Sequence, residues 1–161
     1  MRIMMKSILP VAVVILAVMM LLPSCGAAAM SPTEIAEHIR ENVDFSELVS
    51  PEQDKIFTSF LPIDEALVKD AAVFVSTQDE KSDEIIVIRF ASEADFTTVL
   101  SEINAHISAR AENFSKHSAA EANKLANVII RRTDKCIIAV VCEQHKKAAQ
   151  ILDDLKTREV K

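Results

Sequence analysis

Apolar side chains along this chain change their spacing several times, and each change marks an element. Between Ser31 and Glu41 they recur at helical spacing, with Ile35 and Ile39 on one face. Ser31-Pro32-Thr33-Glu34 opens that helix as a capping box with proline in the first helical position. Ser50-Pro51-Glu52-Gln53 repeats the device and predicts a short helix carrying Ile56, Phe57 and Phe60. From Val68 the pattern becomes that of strands, 70–76 and 84–90, joined by the polar loop 77–83. Ser92 then predicts the cap of a long helix whose apolar positions are Phe96, Val99, Leu100, Ile103, Ile107 and Phe114. Ser118 opens a shorter helical segment containing Leu125. Residues 128–132 and 135–141 form a second strand pair around Thr133-Asp134. A last helix over 143–156 places Ala148, Ile151, Leu152 and Leu155 on one face.

Strand, strand, helix therefore occurs twice. Ile85-Ile86-Val87-Ile88 followed by Val99, Leu100 and Ile103 is echoed by Cys136-Ile137-Ile138-Ala139 followed by Ile151, Leu152 and Leu155. The echo fits either an internal duplication or the generic look of a strand before an amphipathic helix. The expected architecture is α+β: a four-stranded antiparallel sheet built from two strand-strand-helix units, with additional N-terminal helices. Half-exposed antiparallel strands alternate apolar and polar residues, yet 85–88 and 137–141 are continuous apolar runs. Both sheet faces must be covered. The two repeat helices are expected on one face. The segment Pro32–Leu61, with Ile35, Ile39, Phe45, Ile56, Phe57 and Phe60, or else a second copy, is expected on the other.

The first residues follow a different rule. Arg2 and Lys6 precede an apolar run from Ile8 to Leu22 broken only by Pro10, and the run ends in Leu22-Pro23-Ser24-Cys25-Gly26. A charged start, a short apolar middle and a small-residue processing site mark a secretory signal; the cysteine makes it a lipobox. Cleavage between Ser24 and Cys25 would remove the signal peptide 1–24 and leave a diacylglycerol on the Cys25 thiol. The lipidated cysteine and a short tether then occupy 25–31, a single domain 32–156, and a C-terminal tail 157–161. An uncleaved membrane helix is the competing reading. Ile8–Leu22 would make ~22 Å of helix, where a bilayer core needs about 20 residues.

Composition narrows the functions. Without Arg2 and Lys6 the processed chain carries sixteen basic and twenty-four acidic side chains, a net charge of −8. Such a surface discourages binding to nucleic acid and to anionic phospholipid or teichoic acid. Gly26 is the only glycine, and there is no Trp or Tyr. A P-loop, a dinucleotide fingerprint or a G-x-S-x-G elbow needs glycine backbone, so none is present. Cys136 and Cys142 stand six residues apart in one predicted strand, about 20 Å along it, too far to bridge. Buried small hydrophobes is their expected role. His38, His106, His117 and His145 are scattered; Glu34–His38, Glu102–His106 and His117–Glu121 read as solvent-facing pairs four residues apart. No metal site is expected. Asp79-Glu80-Lys81-Ser82-Asp83-Glu84 lacks the glycine and alternation of a calcium loop and reads as a solvated hairpin loop. Arg131, Arg132 and Lys135 read as a charged hairpin tip that discourages edge-to-edge pairing; contact with lipid headgroups, at ~1 kcal/mol per basic residue, is slight against a net charge of −8.

The lipobox start, the opening segment EIAEHIRENVDFSELV, the Ile63-Asp64-Glu65 segment before the first strand, the long helix ending at Phe114 and the hairpin with an apolar second strand together resemble domain-of-unknown-function family 4358. That family comprises small lipoproteins of Firmicutes-type bacteria. The likeness runs over roughly Ser31 to Lys156 and departs from the family's usual Gly-Asn turn in the last hairpin, where Thr133-Asp134-Lys135 stands. It implies cell type and architecture, and no catalytic residues. The expectation is a non-enzymatic, extracytoplasmic lipoprotein, held to the cell membrane through Cys25, that meets a protein partner at the membrane surface. It needs no cofactor. The alternative is a small-molecule-binding accessory module of a transport or sensing system.

Overall fold

The computed structural model describes residues 30–133 and 135–159. The signal segment, Ser24, Cys25 and the tether as far as Ala29 lie outside the described residues. Helix α1 (Pro32–Asn42) begins where its capping box directs. The Glu34 N–H donates to Ser31 Oγ at 3.2 Å, and the Ser31 N–H donates to Glu34 Oε2 at 2.7 Å. The Ser31 N–H, together with the Ser31 hydroxyl that donates to the same oxygen at 2.9 Å, holds the Glu34 carboxyl below its ordinary pKa. Strand β1 (Leu48–Val49) follows, then a single turn α2 (Gln53–Lys55) that widens into a π turn over Ile56–Phe60. The second expected capping box does not form. Ser50 Oγ bonds the Pro51 carbonyl, and Glu52 stands at the N-cap without a side-chain bond.

A 3-10 turn (Glu65–Leu67) leads into β2 (Val68–Ser76) and β3 (Glu84–Phe90). A second 3-10 turn (Glu93–Asp95), tied by the Ser92 N–H donating to Asp95 Oδ2, feeds the long helix α3 (Phe96–Ser115). The remainder is α4 (Ala119–Ala126), β4 (Ile129–Arg132), β5 (Cys136–Val141) and α5 (His145–Glu159). The sheet is antiparallel in the order β1-β2-β3-β5-β4. It has five strands rather than the expected four. The extra one, β1, is two residues pairing Leu48 with Ser76 and Val49 with Val75, too short to leave any periodicity in sequence.

Both faces are covered, but not as the sequence suggested. Ile85, Val87, Ile138 and Val140 pack under α1 and α5, against Ile35, Ile39, Ala148, Leu152 and Leu155. Val73, Ile86, Ile88, Ile137 and Ala139 pack under α3 and α4, against Val99, Ile103, Ile107 and Leu125. The two repeat helices thus lie on opposite faces, and the N-terminal segment is divided between them. Ile35, Ile39 and Phe45 join α5, whereas Ile56, Phe57 and Phe60 join α3. Each buried large side chain contributes ~1.5–3 kcal/mol, so both layers are needed. The split also bears on duplication. A two-fold rotation exchanging the adjacent antiparallel strands β3 and β5 runs normal to the sheet and returns each face to itself. It cannot carry a helix from one face to the other, so no rotation superposes the two units.

Candidate functional site: a buried ionic corner

The end of the sheet where β3 begins holds most of the buried charge. Asp79 and Glu80 are exposed as expected, but Ser82, Asp83 and Glu84 are 0%, 4% and 1% exposed. The solvated-loop reading is therefore corrected over its second half. The reason is α4, which folds back over the loop. Glu121 Oε2 accepts from the Ser82 N–H at 2.9 Å and from Ser82 Oγ at 2.8 Å. Lys124, one turn further along, reaches Glu121 Oε2 at 2.8 Å and Asp83 Oδ1 at 2.9 Å. Asp83 Oδ2 accepts from the Ser46 N–H at 3.1 Å, and Ser46 Oγ meets Ser76 Oγ at 2.9 Å. One carboxylate thereby joins α4 to the segment that leads into β1.

Glu84 completes the corner on the α3 side. Its Oε1 lies 2.8 Å from His106 Nε2, and its Oε2 lies 3.0 Å from Arg110 Nε, close enough for ion pairing though not aligned as a hydrogen bond. The Phe60 ring of the π turn stands 4.7 Å from the His106 ring. The Arg110 guanidinium lies 5.8 Å from Phe60 and 5.7 Å from Phe114, within cation–π range. His106 is thus buried and partnered across to β3, which corrects the expected surface pair with Glu102. The other two expected pairs do not form either. Glu34 is engaged by Ser31, Glu121 by Ser82 and Lys124, and His38 lies beside Asn42.

Burial raises the Glu121 pKa, but Lys124 and the Ser82 amide and hydroxyl outweigh it and bring it down to about 2. Burial likewise opposes the Lys124 ammonium, yet Glu121 and Asp83 hold its pKa above the ordinary value. Cys142 is pushed up to about 11, first by burial and then by the Asp83 charge. Burial and the raised pKa both disfavour the thiolate that a nucleophile or metal ligand requires. Cys136 and Cys142 are both buried, at 2% and 3% exposure, near opposite ends of β5. Among the described residues no three of His, Cys, Asp and Glu gather to hold a metal ion. Nor is any described helix long and apolar enough to cross a membrane. An open hollow of about 400 Å³ lies beside the corner, lined by Arg40, Asp44, Phe45, Ser46 and neighbours. The Ser82 hydroxyl, fully buried and donating to a carboxylate, faces no substrate space. The geometry fits a clamp that fixes helices to the sheet.

The corner was nearly invisible in sequence because its partners from different elements lie 22 to 41 positions apart. The one available signal is on α4: Leu125 is wholly buried, so Glu121, four residues earlier, must share its inward face. At the opposite end of the sheet Arg131 pairs with Asp153 at 2.9 Å, and Arg132 pairs with Glu93 while its guanidinium lies 4.1 Å from the Phe96 ring.

An antiparallel sheet covered on both faces, closed at one end by buried ion pairs, defines an α+β domain. The chain belongs to the family Domain of unknown function (DUF4358), whose model matches residues 41–142. That span runs from the end of α1 through β5 and contains the whole ionic corner, but it excludes α5 and is narrower than the resemblance drawn from sequence. No curated protein and no solved structure matches the chain.

Proposed function

We propose that this protein is a lipid-anchored, extracytoplasmic, non-enzymatic interaction protein that meets a protein partner at the membrane surface. The observation that carries the reading is the spacing between anchor and fold. The lipobox cysteine, Cys25, stands five residues before Met30, which already packs against the core. A diacylated cysteine gives durable attachment where one acyl chain is marginal. The absence of enzymatic work in this reading is supported by the chemistry of the corner, whose carboxylates are held by partners and whose thiol is buried.

The anchor is tested by labelling cells with a clickable palmitate analogue. The wild type takes up label and partitions into detergent, and Cys25→Ser does neither; equal labelling of both refutes the anchor. Crosslinking in intact membranes, followed by identification of what is captured, tests the partner. A small-molecule-binding accessory module is the competing reading. The open hollow beside α1 supports it weakly, because ligand sites enclose most of their ligand's surface.

A further inference from the structure

One edge of the sheet ends in the open. Strand β1 is the outermost strand beside the ionic corner, and β2 is its only neighbour. The Thr77 N–H donates to the Glu47 carbonyl at 2.9 Å, and Val49 pairs with Val75. Backbone direction alternates along an antiparallel strand, so positions 47 and 49 face β2 while the N–H and C=O of Leu48 point outward. Among the described residues they find no partner. Ser50, held extended by the proline after it, repeats that direction. Pro51 then falls opposite Val73 without a donor, and the ladder stops. Side chains alternate too. Leu48 packs with the α1 layer, and Val49, on the other face, is the one large hydrophobic residue exposed among the described residues.

The hollow of about 400 Å³ adjoins this edge on the α1 side, with Phe45 and Leu48 in its lining beside Arg40, Glu41 and Asp44. The cation there is already committed. Arg40 Nη2 lies 2.6 Å from Glu37 Oε2, and the guanidinium lies 4.9 Å from the Phe74 ring. The carboxylates have no cation. Glu41 is exposed and makes no ion pair among the described residues, and the Asp44 carboxylate accepts from the neutral Gln144 amide. Glu47, exposed beside β1, accepts from the Thr77 hydroxyl. Lys55, Lys81 and Lys124 pair with Glu52, Glu121 and Asp83. Lys116 after α3, and Lys146 and Lys147 in the first turn of α5, are exposed but do not line the hollow.

We infer that the open β1 edge with its hollow is the docking surface of this protein, and that its occupant is an extended segment of a partner protein carrying a basic residue between apolar ones. This assignment rests on the protein-partner function proposed above and gives it a place and a chemistry. Strand addition takes affinity from main-chain hydrogen bonds, here to Leu48 and Ser50, and specificity from alternate side chains. A lysine or arginine on the α1 side lays its stem over Phe45 and Leu48 and brings its head to Glu41 and Asp44. The residues on either side of it turn to the opposite face and meet Val49. An open hollow encloses a small molecule poorly but lets a chain pass through. A short edge strand discourages pairing between copies, and the acidic rim adds to this, because a second copy brings the same carboxylates. A basic segment is the complement.

The test presents the processed chain, with Cys25→Ser, to a phage-displayed library of random nonapeptides. Selected sequences are expected to place lysine or arginine between apolar residues. The strongest binder, made as a synthetic peptide, is expected to shift the amide signals of Leu48 and Ser50 in the NMR spectrum of the protein. Glu41→Lys, at an exposed position and confirmed folded by circular dichroism, is expected to weaken that peptide about tenfold in fluorescence anisotropy. Methylating the peptide nitrogens that face β1 is expected to abolish binding. Enrichment of acidic sequences or of none, shifts confined to other elements, or equal affinity for Glu41→Lys overturns the proposal. So does self-association of the free chain that is lost on Val49→Lys, since the occupant is then a second copy. Crosslinking in membranes that captures a partner through residues away from β1 overturns this surface and leaves the interaction function standing. Failure of palmitate labelling removes the anchor and alters none of these readings.

Discussion

Replacing Lys124 with methionine isolates the energetics of the ionic corner. Methionine keeps the apolar stem and removes the ammonium that touches Asp83 Oδ1 and Glu121 Oε2. Because both oxygens contact one nitrogen at 2.9 and 2.8 Å, they lie no more than about 6 Å apart. Two unscreened carboxylates at that distance repel by about 3 kcal/mol at an effective dielectric constant near 20. Stranding a buried charge by deleting its partner costs ~3–5 kcal/mol in general. A loss of ~3–5 kcal/mol at pH 7 is expected, a large share of the ~5–15 kcal/mol that holds a domain. The chain has no Trp or Tyr, so unfolding in urea is followed by far-ultraviolet circular dichroism. Adding Asp83→Asn removes the repulsion while the side-chain carbonyl still accepts from the Ser46 N–H. The pair should then recover about 2 kcal/mol, a non-additivity proper to residues in contact. A loss below about 1 kcal/mol, with no recovery in the double variant, would show that the corner carries no net electrostatic weight.

Two further outcomes follow from the same groups. The Glu121 pKa is depressed from 4.5 in the unfolded chain to about 2 in the fold, so its contribution is whole above pH 4.5 and is lost as pH falls toward 2. Linkage puts that loss at roughly 3 kcal/mol, and Glu121→Gln should flatten the acid limb of a stability–pH profile; an unchanged limb refutes the assignment. Cys142, with its pKa near 11, should leave Ellman's reagent unreacted in the native protein at pH 7.5 and react fully in urea. Rapid native reaction would mean that the thiol is not buried in solution.

Local rules placed most of the elements. Ser31, Pro32 and Glu34 fix the start of α1 because the cap, the preset φ and the reciprocal hydrogen bond all act within four residues. The spacing of Val99, Ile103 and Ile107 identified the inward face of α3 for the same reason. The continuous apolar runs of β3 and β5 correctly required two covered faces. Which helix covers which face was not legible, because Ile35 and Ile56 are equally apolar and their destinations depend on the paths of the connecting segments. The Ser50 box misled although Gln53 is a fit partner for it: Ser50 Oγ turns to the Pro51 carbonyl, Glu52 takes the N-cap, and the chain opens into a π turn rather than a regular helix.

The ionic corner marks the harder boundary. Six residues in sequence from Asp79 to Glu84 carry five charges, and charge density alone argues for solvent. What buries Asp83 and Glu84 is supplied by α3 and α4, at His106, Arg110, Glu121 and Lys124, and charges are buried only where such partners exist. A pattern rule sees each of these residues with its helical neighbours and assigns Glu102 to His106, because spacing by four is the only proximity that sequence displays. Once the fold brings β3 under α3, Glu84 offers a drier and closer partner at 2.8 Å. Desolvation makes an unpaired alternative costly, so burial and pairing stand or fall together. The same coupling explains why the corner reads as a clamp: moving α4 outward would expose Leu125 and leave Asp83 without its cation in a single step.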